Sequence, residues 1–178
     1  MPSQKVYDYT VMFWFRSAKS ADELIKDRIQ RHYLFELNGS VQCFIQGGKT
    51  LECNPKGSSS TNSIKLSDIP DFQQWIHLTY TARSKENNAT LRLDYAGGKV
   101  EMTLGYATIN NPQAMLGINS GLTTGFAGDV REFYMSYGAI KSDKIPNLMN
   151  VVKVFDVSTM AYYRFQPSNG ILNDWMRD

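Results

Sequence analysis

Tyr9-Thr10-Val11-Met12-Phe13-Trp14-Phe15 is a run of aromatic and β-branched residues, too short and too β-prone for a helix, and it is apolar on both faces. Such a run predicts a strand inside a sheet, with material packed above and below it. Ser20-Ala21-Asp22-Glu23 then offers a capping box before Leu24, Ile25 and Ile29, which predicts a short helix or a decorated loop. From Tyr33 the strand pattern returns over 33–37, 41–46 and 50–53, separated by the hairpin signals Asn38-Gly39 and Gly47-Gly48. With the second turn centred on Gly48, Cys43 falls directly opposite Cys53. That register allows either a cross-strand bridge or two buried thiols, and a slip of one residue would point the sulfurs apart.

A Gly- and Ser-rich loop over 55–63 leads into further strands at 64–66, 75–82, 90–95, 99–106, 114–118 and 129–137, joined by polar turns such as 83–89 and Gly97-Gly98. In Thr90-Leu91-Arg92-Leu93-Asp94-Tyr95 apolar and polar residues alternate, so this strand should set one face on the core and the other toward solvent. A helix is predicted over 142–149, where Ser142 could cap and Pro146 could sit in the first turn. Many short strands with little helix make the fold class all-β, an antiparallel sandwich or barrel with one or two short helices.

The 178 residues, 42% hydrophobic and 20% charged, suit one domain with a real core. A net charge of +2 without a basic run argues against a nucleic-acid partner. No apolar stretch approaches the roughly 18 residues of a membrane span. The start, Met1-Pro2-Ser3-Gln4-Lys5, lacks a secretory core, which suits a cytosolic protein or an ectodomain excised with an added methionine. Asn38-Gly39-Ser40 and Asn88-Ala89-Thr90 fit the N-glycosylation pattern in segments that read as turns. Two cysteines exclude a disulfide scaffold and a zinc site of cysteine alone.

Three pieces in a fixed order carry a resemblance. They are Tyr9 to Arg16; Trp75-Ile76-His77-Leu78-Thr79-Tyr80-Thr81 with Leu91 to Gly98 behind it; and Met115-Leu116-Gly117 leading to Phe126-Ala127-Gly128-Asp129-Val130-Arg131-Glu132-Phe133-Tyr134. Together, over most of residues 7–150, they resemble the laminin G-like domains of the concanavalin A-like lectin and glucanase superfamily. The resemblance implies a jelly roll of two stacked sheets. It also implies that Ser158 to Phe165, with Asn169-Gly170 behind it, is an opening strand: either the first of a next repeat, or a permuted closing strand that fills the first position of a single domain spanning 1–178. An unpaired strand would expose a sheet edge, so 159–166 should pair within the same sandwich, beside the opening aromatic segment.

The glucanases of that superfamily use carboxylates aligned on one strand as Glu-x-Asp-x-x-Glu, and the six glutamates here are scattered with no aspartate two residues on. His32 and His77 are the available bases, and His77 reads as a packed strand residue. The chain is thus expected not to be an enzyme and to need no cofactor. Calcium, the family's common ion, has thin support from Asp129 and Asn119, because Arg131 stands where related domains often carry Asp. Tyr80, Tyr95, Tyr106 and Trp175 are the aromatics least committed to a core and are the candidates to stack on sugar. The leading expectation is a non-catalytic recognition or adhesion module that binds glycan or protein within a larger cell-surface or secreted protein. The alternative is an intracellular architectural docking domain in a large assembly, and an unusual glycosidase ranks third.

Overall fold

The computed structural model describes residues 5–26, 31–38, 40–47, 50–55, 63–65, 68, 71–110, 113–117 and 125–149, and the backbone of 159–163. In chain order the strands are β1 (Lys5–Val6), β2 (Tyr9–Ser17), β3 (Arg31–Leu37), β4 (Val41–Gln46), β5 (Thr50–Pro55), β6 (Ile64–Lys65), β7 (Ile76–Arg83), β8 (Asn88–Tyr95), β9 (Gly98–Gly105), β10 (Ile109–Asn110), β11 (Ala114–Leu116), β12 (Gly128–Tyr137) and β13 (Thr159–Tyr163). The helices are α1 (Ala21–Lys26) and α2 (Ile145–Met149), the latter entered through a 3-10 turn at Ser142–Lys144. One sheet has the order β13-β12-β2-β7-β8-β9, the other β11-β3-β4-β5-β6, and β1 pairs with β10. Every ladder is antiparallel. The molecule is an all-β sandwich.

The two sheets meet through alternate residues. Tyr9, Val11, Phe13 and Phe15 of β2 point inward with Ile76, Leu78 and Tyr80 of β7 and Leu91 and Leu93 of β8, and all nine are fully buried. Phe35 of the facing sheet meets Phe13 edge-on at 5.7 Å and Tyr80 at 6.2 Å, so aromatic edges lock the layers together. The β4–β5 hairpin has the expected register, with Cys43 paired to Cys53 on the inner face.

The capping box is formed on α1: the Ser20 backbone N–H donates to the Glu23 carboxylate at 2.7 Å and the Glu23 N–H donates to Ser20 Oγ at 3.3 Å. Two expectations need correction. Strand β13 pairs inside the sandwich, but with β12, so it lies one strand away from β2. At the first residue of β12, Gly128, a Cβ would collide with the Arg16 carbonyl, so this end of the strand lies against β2 only as glycine. Second, Ser142 does not cap a helix. Its hydroxyl donates to Glu101 at 2.8 Å and accepts from Arg92 at 3.0 Å.

Arg92 thereby overturns the solvent-facing reading of β8, since it is only 4% exposed. Residues 138–149 run as a strap over the outer face of the six-stranded sheet. Thr10 Oγ1 donates to the Gly138 carbonyl and accepts from the Ile140 N–H, and Arg92 donates to the Ser142 carbonyl at 2.9 Å. Beneath the strap Met12 and Tyr134 pack with Ile140 and Leu148. Thr10, Thr79, Thr81 and Ser136 are buried there although their strand positions face outward.

Candidate functional site

Further along the same outer face the strap ends at Trp14, whose indole N–H donates to the Met149 carbonyl at 3.3 Å. In the β12–β2–β7 registers Arg131 is paired with Trp14 and Trp14 with His77, while Asp129 is paired with Arg16. Continuing the β2–β7 and β7–β8 registers past the ladder ends sets Trp75 beside Arg16 on one side and Ala96 on the other. Trp14 and Trp75 are half-buried; Arg16, Asp129 and Arg131 are exposed.

The Arg131 guanidinium lies 4.1 Å from the centre of the Trp75 ring and 5.3 Å from that of Trp14, and the Arg16 guanidinium lies 5.0 Å from Trp75. Each such cation–π contact at an exposed site contributes about 0.5–1 kcal/mol. Arg16 Nε also donates to Asp129 Oδ2 at 2.6 Å. Arg131, in contrast, has no carboxylate partner among the described residues. Behind Trp14 the buried His77 ring sits edge-on at 5.0 Å, and its Nδ1 is 3.3 Å from Thr79 Oγ1, so this histidine is a packing residue.

A break in β12 aims Arg131. The β12–β2 register shifts between Arg131 and Tyr134, and Glu132 within the shift has φ of 55°. The extra residue lets Arg131 share the outer face with Tyr134 and Ser136 while Phe133 and Met135 enter the core. A non-glycine residue in that left-handed region costs on the order of 1–3 kcal/mol, and such costs gather at functional sites.

On the far side of Trp75, Asp71, Gln74, Tyr95 and Ala96 line a shallow cleft of about 200 Å³. Tyr95 donates to the Asp68 carbonyl at 3.3 Å, and one Asp71 oxygen accepts the Gln73 N–H at 2.8 Å. Cleft and cation-capped tryptophan form one rim at this end of the sheet, offering hydroxyl acceptors, an amide and a guanidinium.

Of the aromatics singled out from sequence, Tyr95 lies in this cleft and Tyr80 does not belong to any surface. Tyr80 is fully buried, stacked on Tyr9 at 6.0 Å, because it shares the inward parity of Ile76 and Leu78, and burial pushes its hydroxyl pKa up. Tyr106 sits at the opposite end of the sheet, where its hydroxyl donates to the Tyr7 carbonyl at 3.0 Å and partial burial raises its pKa. Trp175 lies outside the described residues. The tryptophans at the rim, Trp14 and Trp75, were absent from the sequence candidates.

Asn38 occupies an exposed turn and donates its side-chain N–H to the Asn110 carbonyl at 2.7 Å. Asn88 is no turn residue: it opens β8, half-buried, with its Oδ1 enclosed. The sulfurs of Cys43 and Cys53 are in bonding contact, with Cα atoms 4.0 Å apart. Asp129 spends its carboxylate on Arg16, Asn119 lies outside the described residues, and among the described residues no three metal-binding side chains converge. No helix among the described residues is long and apolar enough to cross a membrane.

No protein-family profile matches the chain, and no curated protein does. Solved structures do match it. A protein of Bacteroides ovatus ATCC 8483, named a "putative carbohydrate binding protein", aligns with a TM-score of 0.69 at 13% identity over 97% of this chain. The match takes up 50% of that protein, so the chain spans half the neighbour's length. At this identity the likeness establishes the fold.

Proposed function

We propose that the chain is a non-catalytic, lectin-like recognition module of the laminin G-like kind, and that it binds carbohydrate at the rim formed by Trp75, Arg131, Tyr95, Asp71 and Gln74. One observation carries the reading: the half-buried Trp75, with the Arg131 guanidinium on its ring, stands beside a cleft lined by Asp71, Gln74, Tyr95 and Ala96. Sugar sites combine flat apolar surface with a few placed polar groups, and this rim has both. The name of the Bacteroides neighbour points the same way. A glycan array probed with the folded chain, with and without chelator, tests it. Retention of at least one glycan, lost in Trp75→Ala, is expected; a folded chain that retains none overturns the reading.

The same proposal places the module at the cell surface or in a secreted protein, as an adhesion-type unit of a larger chain. The contact between Cys43 and Cys53 sulfurs supports an oxidising location. We assign any N-glycan to Asn38, since Asn88 is a half-buried strand residue. Mass analysis of protein from its native source should find the two cysteines joined; free thiols with bare asparagines would point instead to an intracellular docking domain.

A further inference from the structure

We infer that the rim selects an acidic sugar, a uronate whose carboxylate is taken by Arg131 while its ring hydroxyls reach Asp71 and Gln74; this rests on the carbohydrate-binding reading above. The tryptophans are not bare platforms. Two guanidiniums lie within 5.0 Å of the Trp75 ring centre and one lies 5.3 Å from that of Trp14. A neutral sugar that stacks by its C–H face would have to displace a cation that already occupies indole surface. An anion displaces nothing.

Charge complementarity fixes the class. Arg16 is neutralised by Asp129 at 2.6 Å, which leaves Arg131 as the uncompensated cation among the described residues of the rim. One free charge suits a sugar with one charge per ring. Guanidinium is planar and keeps its edge N–H groups free when its face rests on an aromatic ring, so a flat carboxylate can dock in plane by two parallel hydrogen bonds. The break in β12 at Glu132 is what turns Arg131 onto this face, a costly conformation spent on that one side chain.

The test is calorimetric titration of the chain with an oligogalacturonide, with the same oligosaccharide fully methyl-esterified, and with a sulfated oligosaccharide. Expected is binding of the acid form at least tenfold tighter than the ester, weakening as salt rises. Arg131→Gln should lose at least tenfold while staying folded at the assay temperature, and Asp129→Asn should bind a few-fold tighter because it removes a competing charge and frees Arg16. A gain in affinity on removing Asp129 is something a merely structural role would not produce. Ester and acid binding equally, preference for the sulfated oligosaccharide, or an unchanged Arg131→Gln overturns the uronate assignment and leaves the carbohydrate module standing. No binding to any glycan overturns both.

Discussion

The outer face of the six-stranded sheet is two surfaces on one set of strands. At one end Thr10, Thr79, Thr81 and Arg92 project outward yet are buried, and the strap of residues 138–149 takes up the hydrogen bonds of Thr10 and Arg92. At the other end Trp14, Trp75, Arg16 and Arg131 project from the same strands; there the last residue of the strap accepts the Trp14 indole N–H at 3.3 Å, while Arg16 and Arg131 are exposed. Polar residues at the covered end stabilise the fold; at the other end the exposed guanidinium of Arg131 is placed to meet a ligand. Residue type alone therefore misleads on this face, because an arginine at position 92 and one at position 131 have opposite duties.

Substitutions should separate the two ends. The largest expected effect is at the covered one. Arg92 holds Asp94 with two hydrogen bonds of 2.6 and 2.7 Å and reaches the strap at Ser142. Arg92→Leu strands the Asp94 carboxylate under cover and should cost about 3–5 kcal/mol in denaturant unfolding, with glycan affinity kept at temperatures where the variant is folded. Next is Gly128→Ala at the other end, which drives a Cβ into the Arg16 carbonyl; a loss of about 1–3 kcal/mol is expected, together with weaker glycan binding, because β12 carries Asp129 and Arg131. Arg131→Gln gives up two cation–π contacts and should cost about 1–2 kcal/mol, less than Arg92→Leu.

The smallest effect is a pH dependence at the covered end. Asp8 accepts from the Ser84 hydroxyl and N–H at 2.6 and 2.7 Å, and these bonds hold its pKa below the ordinary 3.8, while its carbonyl receives the Gly138 N–H at the start of the strap. A depressed folded-state pKa means the folded chain binds fewer protons than the unfolded one between the two values. The contribution is therefore complete above the ordinary aspartate value and is lost as pH falls through the folded one. Acid unfolding of Ser84→Ala should show a shallower slope below pH 3.8 than the parent; equal slopes would remove Asp8 from the account.

Much of the fold was legible because period-two patterning is local. The apolar run of β2, the β4–β5 hairpin with Cys43 across from Cys53, and the Ser20–Glu23 box all depend on neighbours a few residues apart. Tyr80 was misplaced although Ile76, Leu78 and Tyr80 already share one parity. The polar face of β8 could not be read as buried, since its cover comes from residues 50 positions further on, as the Arg92–Ser142 bond shows. The rim was hidden for the same reason: Trp75 meets Arg131 only because β12 and β7 both flank β2. Position 131 stood out in sequence only as an obstacle to calcium. Its aim depends on a bulge at Glu132, for which the residue type offers no signal.

The most direct test is to map an oligogalacturonide onto the chain by indole and backbone N–H chemical shifts. Perturbations should gather at Trp75, Tyr95 and Arg131 and spare residues 138–145 and Tyr106. Shifts centred on the strap or on the Tyr7–Tyr106 end, with the Trp75 indole unmoved, would contradict the division of this sheet face into a sealed half and a binding half.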